Sequence, residues 1–235
     1  MSGKFYGLGV GPGDPELLTL KAVRILNAVD VIIAPETVKD NGSVAYDIVK
    51  GHIREEKKVL FQVFPMTYDS RELDESWNRN MKEILEILQA GKDAAFITLG
   101  DPMVYSTYVY VMRLLKDHGI AVETVPGITS FCAAASRLGV PLAEGNETIA
   151  VIPAAYQCDH LDEILTLADN VVLMKPSKGF QKTIEKLEDN GFLENTVWIA
   201  KCGHKDERIS YDVKELAGEK IDYLSMLIAK KRRLK

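Results

Sequence analysis

The chain has 235 residues, 46% hydrophobic and 27% charged, with 29 Lys and Arg against 34 Asp and Glu for a net charge of −5. That length buries one large core or two small ones, and the acidic balance argues against a general affinity for nucleic acid. No stretch reaches the ~20 apolar residues of a membrane helix, and no charged-then-apolar leader opens the chain, so the expectation is a cytoplasmic protein with neither membrane nor nucleic acid as partner.

In chain order, the apolar run Phe5 to Val10 reads as a strand, followed by a glycine-rich turn, Gly7-Leu-Gly-Val-Gly-Pro-Gly-Asp-Pro15, and a helix. Asp14 can cap that helix and Pro15 suits its first turn, while Leu18, Ala22, Ile25 and Val29 recur at helical spacing. Further strand-like runs at Val29 to Ala34, Val59 to Phe64, Ala94 to Leu99 and Val122 to Val125 alternate with helical patterns after Ser43, from about Asp69 to Gln89, and from Val104 to His118. Such alternation predicts a parallel sheet covered by helices. Beyond Pro126-Gly127 come a small-residue helix, Thr129 to Leu138, and strands at Thr148 to Ile152, Val171 to Met174, Thr196 to Ala200 and Tyr223 to Ala229. Helices are predicted near Asp159 to Leu167 and Phe180 to Asn190. The fold class is therefore two α/β domains, residues 1–126 with a parallel sheet and a smaller second domain, 127–235.

The glycine turn resembles a nucleotide site but departs from it. Pro12 stands where a Gly-x-Gly-x-x-Gly pattern needs its third glycine, and the Asp14 carboxylate occupies the helix N-terminus where a phosphate would sit. Two more loops pair glycine with a hydrogen-bonding side chain at a strand's end: Leu99-Gly100-Asp101-Pro102 and Pro126-Gly127-Ile128-Thr129-Ser130. Each alone is ordinary turn chemistry; on strands one, four and five together they point to a shared ligand site.

Other signals are weaker. His52, His118, His160 and His204 lack ligand spacing, so no metal is expected. Cys132, Cys158 and Cys202, odd in number and widely spaced, fit reduced thiols, with Cys132 read as a small core residue. No Gly-x-Ser-x-Gly elbow is present. Leu73, Trp77, Ile84 and Leu88, with Met66 before them, read as a core face rather than a pocket rim. Lys230 to Lys235 carries five positive charges and reads as a solvated terminus.

The three loops, in this order and spacing, resemble the tetrapyrrole methylase family over nearly the whole chain. The words that carry the resemblance are Gly11-Pro-Gly-Asp-Pro-Glu-Leu-Leu-Thr-Leu-Lys21, Thr98-Leu-Gly-Asp-Pro-Met-Val-Tyr-Ser-Thr107 and Val125-Pro-Gly-Ile-Thr-Ser-Phe131. Phe64-Pro-Met-Thr67 and Pro141-Leu-Ala-Glu-Gly145 are similar to the members that methylate C-20 of precorrin-2 or its cobalt form, cobalt-factor II. The resemblance implies a homodimer that takes S-adenosylmethionine as methyl donor, releases S-adenosylhomocysteine and holds the donor between its domains. A tetrapyrrole substrate would lie in an adjoining trough. It implies donor contacts at Pro12, Leu99, Gly100, Asp101, Val104, Thr129, Ser130, Met174 and, on a looser match, Gly203. Serine at 130 departs mildly from the family's usual alanine. Tyr105, Glu144 and His204 are the substrate-side candidates; no catalytic base is assigned. The alternatives are a family member acting at another macrocycle position, a nucleotide-fold methyltransferase with Glu36 on the ribose, and a tetrapyrrole carrier without turnover.

Overall fold

The computed structural model describes residues 2–38, 42–64, 70–153 and 158–232, with the side chains of 70–74 outside that description. Pro65, Met66 and Thr67 of the subfamily word, the Leu73 side chain and Lys235 lie outside the described residues. The chain divides into two compact units, Met1–Thr129 and Ser130–Lys235.

The first unit is built on five parallel strands, β1 (Phe5–Gly9), β2 (Val31–Glu36), β3 (Lys58–Val63), β4 (Ala94–Thr98) and β5 (Val122–Val125), in the order β3-β2-β4-β1-β5. Helices α1 (Leu20–Ala28), α2 (Val44–Val49), α3 (Ser70–Gln89) and α4 (Tyr108–Asp117) connect them. Both faces of the sheet are covered. Leu8, Ile32, Ala95 and Ile97 pack under α1 and α2, while Phe5, Ile33 and Phe96 pack against Ile84, Leu88, Tyr108 and Val111 of α3 and α4. Ile84 and Leu88 are fully buried and Trp77 stacks edge-on against Phe64, so that stripe is a core face.

Two helix starts differ from the sequence expectation. Asp14 caps only a 3-10 turn, Pro15–Leu17, by accepting from the Glu16 N–H at 2.9 Å. Leu18 is then extended, and Thr19 starts α1 by accepting from the Ala22 N–H. The apolar spacing alone does not show this break. Likewise α4 begins at Tyr108, not Val104, because Tyr105 adopts a left-handed backbone with φ +50° that no right-handed helix accommodates.

The second unit opens with α5 (Ser130–Leu138) and has a mixed sheet of β6 (Ile149–Pro153), β7 (Asn170–Met174), β8 (Thr196–Ala200), β9 (Arg208–Ser210) and β10 (Ser225–Lys230), ordered β6-β7-β10-β8-β9. Only β6 and β7 are parallel. Helices α6 (Leu161–Leu167) and α7 (Phe180–Asp189) complete it, and its core centres on Leu173, Leu187, Phe192, Trp198 and Leu227. β9 carries no apolar run, which is why sequence patterning passed over it.

Two expectations are corrected in this unit. Cys132 is exposed, because α5 turns Ala133, Ala134 and Leu138 inward instead. Lys230 is no solvated tail residue. It is the last residue of β10, 2% exposed, and its Nζ donates to the Pro141 carbonyl at 2.7 Å and lies 3.6 Å from Glu147 Oε2. The ammonium thus fastens the loop before β6 to the last strand. Lys230→Met keeps the stem and removes the charged donor to the Pro141 carbonyl, and a hydrogen bond to a charged group contributes ~1.5–3 kcal/mol. The expected result is a lower thermal midpoint with donor affinity unchanged, checked by melting and titration of the same preparation.

Candidate functional site

In an open parallel sheet ligands gather at the C-terminal ends of the strands, and the order β4-β1-β5 sets three of the first unit's loops side by side. Main chain ties them together. The Gly11 N–H donates to the Gly100 carbonyl at 3.3 Å, and the Gly100 N–H donates back to the Gly11 carbonyl at 2.8 Å. A Cβ on Gly9 would lie 2.5 Å from the Gly127 nitrogen and 2.7 Å from the Gly100 oxygen. One glycine from each loop therefore meets the others backbone to backbone.

Asp101 braces the same arrangement. Its Oδ1 accepts from the Met103 N–H at 2.8 Å and its Oδ2 from the Gly127 N–H at 3.0 Å, joining the loops after β4 and β5. Each carboxylate oxygen retains capacity for a further donor. Around it, Pro12 and Gly100 are buried, Leu99 and Val104 are half-buried, and the Val104 N–H bonds the Asp101 carbonyl. Thr129 ends the first unit with its Oγ1 buried and no hydrogen-bond partner among the described residues. A buried hydroxyl left so is costly, and a polar ligand atom there would relieve it. With Asp14 capping the turn after β1, this site suits a ligand with hydrogen-bond donors and no phosphate.

Beneath the loops a row of hydroxyls packs. Thr98 Oγ1 and Ser106 Oγ are 2.8 Å apart, and Tyr108 Oη and Thr124 Oγ1 2.6 Å. Burial pushes the Tyr108 phenol pKa up, and its ring lies where a Gly7 side chain would be. Tyr105, half exposed at 49%, stands at the rim in its left-handed conformation. Ser130, half-buried, begins α5 in the second unit.

Within that unit β10 runs antiparallel between β7 and β8, so Met174 at the end of β7 and the turn after β8 lie at the same end of the sheet. Gly203 and His204 belong to that turn. The His204 N–H donates to the Lys201 carbonyl at 2.9 Å, and its Nδ1 accepts from the Asp206 N–H at 3.3 Å. Glu207 latches the turn, accepting from the Gly203 N–H and from Arg137 Nε of α5, each at 2.8 Å. Sequence reading missed Glu207, one acid in a charged run; its only signal was its place four residues after a glycine. Cys202 is buried, its thiol pushed up to about 11 by desolvation, so it is a poor nucleophile at neutral pH.

Glu144 is not brought to this end. It is exposed before β6, its N–H on Glu147 Oε2, and it lines a depression of about 760 Å³ beside Asp169 and Lys230. The length of a five-residue strand, ~17 Å, separates the two ends. Glu36 ends β2, and its Oε1 accepts from the Gly42 N–H. β4 intervenes between β1 and β2, placing β2 ~10 Å from β1, whereas a dinucleotide fold sets them adjacent. Among the described residues no group of three His, Cys, Asp or Glu could hold a metal, and no helix is long and apolar enough to cross a membrane.

The sequence pattern of the tetrapyrrole (corrin/porphyrin) methylases matches residues 4–217. The chain belongs to the tetrapyrrole methylase family. It is 35% identical to a probable cobalt-precorrin-2 C(20)-methyltransferase of Methanocaldococcus jannaschii, covering 97% of this chain and 96% of that one. A cobalt-precorrin-2 C(20)-methyltransferase of Salmonella typhimurium is 33% identical over 99% of this chain and 98% of its own. The solved structure of a cobalt precorrin-4 methyltransferase superposes with a TM-score of 0.76 at 25% identity, covering 97% of this chain and 94% of that one. This tetrapyrrole methylase is thus an enzyme, a C-methyltransferase of cobalamin-pathway type, in a family whose methyltransferases use S-adenosylmethionine.

Proposed function

We propose that this enzyme transfers the methyl group of S-adenosylmethionine to C-20 of a precorrin-2-type tetrapyrrole, with cobalt-factor II preferred over metal-free precorrin-2, in the cytoplasm and as a homodimer. The observation that carries the position is 33–35% identity over nearly full length to relatives named for C-20. The Asp14 carboxylate capping the glycine turn supports a donor without phosphate, and the Thr129 hydroxyl offers that donor a hydrogen bond.

In the first unit the proposed donor contacts are Pro12, Leu99, Gly100, Asp101, Val104 and Thr129. In the second they are Ser130, Met174 and Gly203. The donor's sulfonium supplies a methyl group already activated for transfer. What the protein adds is placement: Asp101 and the glycine main chain present fixed acceptors, and holding two reactants in line is worth ~7–11 kcal/mol. A general base typically contributes ~10²–10⁴-fold, and none is assigned. Tyr105, in the loop between β4 and α4, and His204, in the turn after β8, are kept as the substrate-side candidates; Glu144, at the opposite end of its sheet from Met174, is the weaker one.

The test is incubation of the purified protein, without oxygen, with S-adenosylmethionine carrying a labelled methyl and either cobalt-factor II or precorrin-2. The expected product carries one added methyl, located at C-20 by NMR, and forms faster from the cobalt compound. Methylation at another carbon overturns the position; faster turnover of precorrin-2 overturns the cobalt preference.

A further inference from the structure

Among the described residues eleven glycines have positive φ, and only three other residues share that conformation: Tyr105, Lys175 and Lys201, at +50°, +55° and +51°. Left-handed backbone costs a residue with a Cβ ~1–2 kcal/mol, and glycine would adopt it freely. The two lysines occupy matching places. Lys175 directly follows β7 and Lys201 directly follows β8, with β10 between those strands. The Lys175 N–H donates to the Ser225 carbonyl at 3.0 Å, and the Lys201 N–H to the neighbouring Leu224 carbonyl at 2.7 Å. Their backbones are thus two strands, ~10 Å, apart at one sheet end.

Each side chain reaches the segment just before β10. Lys201 Nζ is 3.4 Å from Asp222 Oδ1, and Lys175 Nζ lies 5.2 Å from the centroid of the Tyr223 ring. Lys201 and Asp222 are each about a third exposed, at 34% and 35%, so that ion pair is wet and contributes only ~0–1 kcal/mol. Neither contact explains why a lysine and not a glycine holds each strained position. Strain of this kind persists where a site needs the side chain. Met174 immediately precedes Lys175, and Gly203 stands two residues after Lys201, so each lysine lies within two residues along the chain of a proposed donor contact of this unit.

We propose that Lys175 and Lys201 form a paired cation site that receives carboxylate side chains on the rim of the macrocycle and so determines which edge faces the methyl donor. The inference rests on the tetrapyrrole reading above. Precorrin-type macrocycles carry acetate and propionate groups around their periphery, and a chain of net charge −5 needs local cations to bind such a polyanion. Lysine, a mobile point charge, tolerates carboxylates arriving from several directions.

The experiment compares Lys175→Gly and Lys201→Gly with the wild type by thermal melting, by absorbance titration of cobalt-factor II, and by separate titration of S-adenosylmethionine. Glycine relieves the strain, so each variant should melt at or above the wild-type midpoint. Macrocycle affinity should fall ~10-fold in each, donor affinity should hold, and Lys201→Arg should recover most of the loss. Lys175→Met and Lys201→Met, which remove only the charge, give the same reading if a glycine variant folds poorly. Variants that bind the macrocycle as tightly as wild type overturn the inference, as does a parallel loss of donor affinity. A wild type that binds no tetrapyrrole overturns both this inference and the functional reading beneath it; a wild type that binds, beside variants that bind equally well, overturns this one alone.

Discussion

Gly127→Ala is expected to lower the thermal midpoint by roughly 10 °C and to abolish measurable donor binding. A Cβ at this position meets the Gly100 carbonyl oxygen and lies 2.7 Å from both the carbon and the Cα of Gly9. Overpacking a core typically costs ~1–3 kcal/mol because neighbouring side chains can rotate away. Here every obstructing atom is main chain, and those segments are tied to parallel strands, so relief requires separating β1, β4 and β5. We expect more than ~3 kcal/mol, at roughly 2–4 °C per kcal/mol for a protein of this size. Gly11→Ala is the contrast. Its nearest neighbour would be 3.6 Å away, so only the backbone penalty of φ +78° applies, ~1–2 kcal/mol. Equal midpoints for the two variants would show that the main-chain contact is not what holds the loops.

That contrast also marks what the sequence discloses. Three glycine loops on strands one, four and five are visible as words, and alternation of apolar runs with helical patterns places them at strand ends. Their contact is not visible, because it depends on strand order: β4 inserts beside β1 through a crossover no local pattern encodes. The same order separates Glu36 from the glycine turn. Met174 enters as a proposed donor contact through family resemblance alone, whereas nothing in the sequence marks Lys175 beside it, whose left-handed φ only the structure shows. Lys230 shows the reverse error. Five charges in six residues suggest solvent, yet pairing of β10 between β7 and β8 sinks the first of them into the interior. Charge in sequence reports composition, while burial reports the neighbours that the topology supplies.

Asp101→Asn should weaken S-adenosylmethionine binding by ~10–100-fold and also lower the midpoint of the ligand-free protein by several degrees. The two effects belong together for a geometric reason. Both carboxylate oxygens already accept backbone N–H groups, from Met103 and from Gly127. Asparagine has the same shape but one acceptor oxygen; its NH2 must face one of those N–H donors, leaving it unpaired at ~1–3 kcal/mol. If the Gly127 bond is the one lost, the loop carrying Thr129 is released from the loop after β4, and the proposed donor contacts lose their common frame. A carboxylate whose role was confined to the ligand would behave otherwise: donor affinity would fall while the ligand-free midpoint stayed at the wild-type value. Melting curves without ligand, set beside isothermal titration with the donor, separate these outcomes. An unchanged midpoint removes Asp101 as a strut, and unchanged affinity removes it from the site. Joint loss shows that the braced loops of the first unit are the donor's acceptor frame.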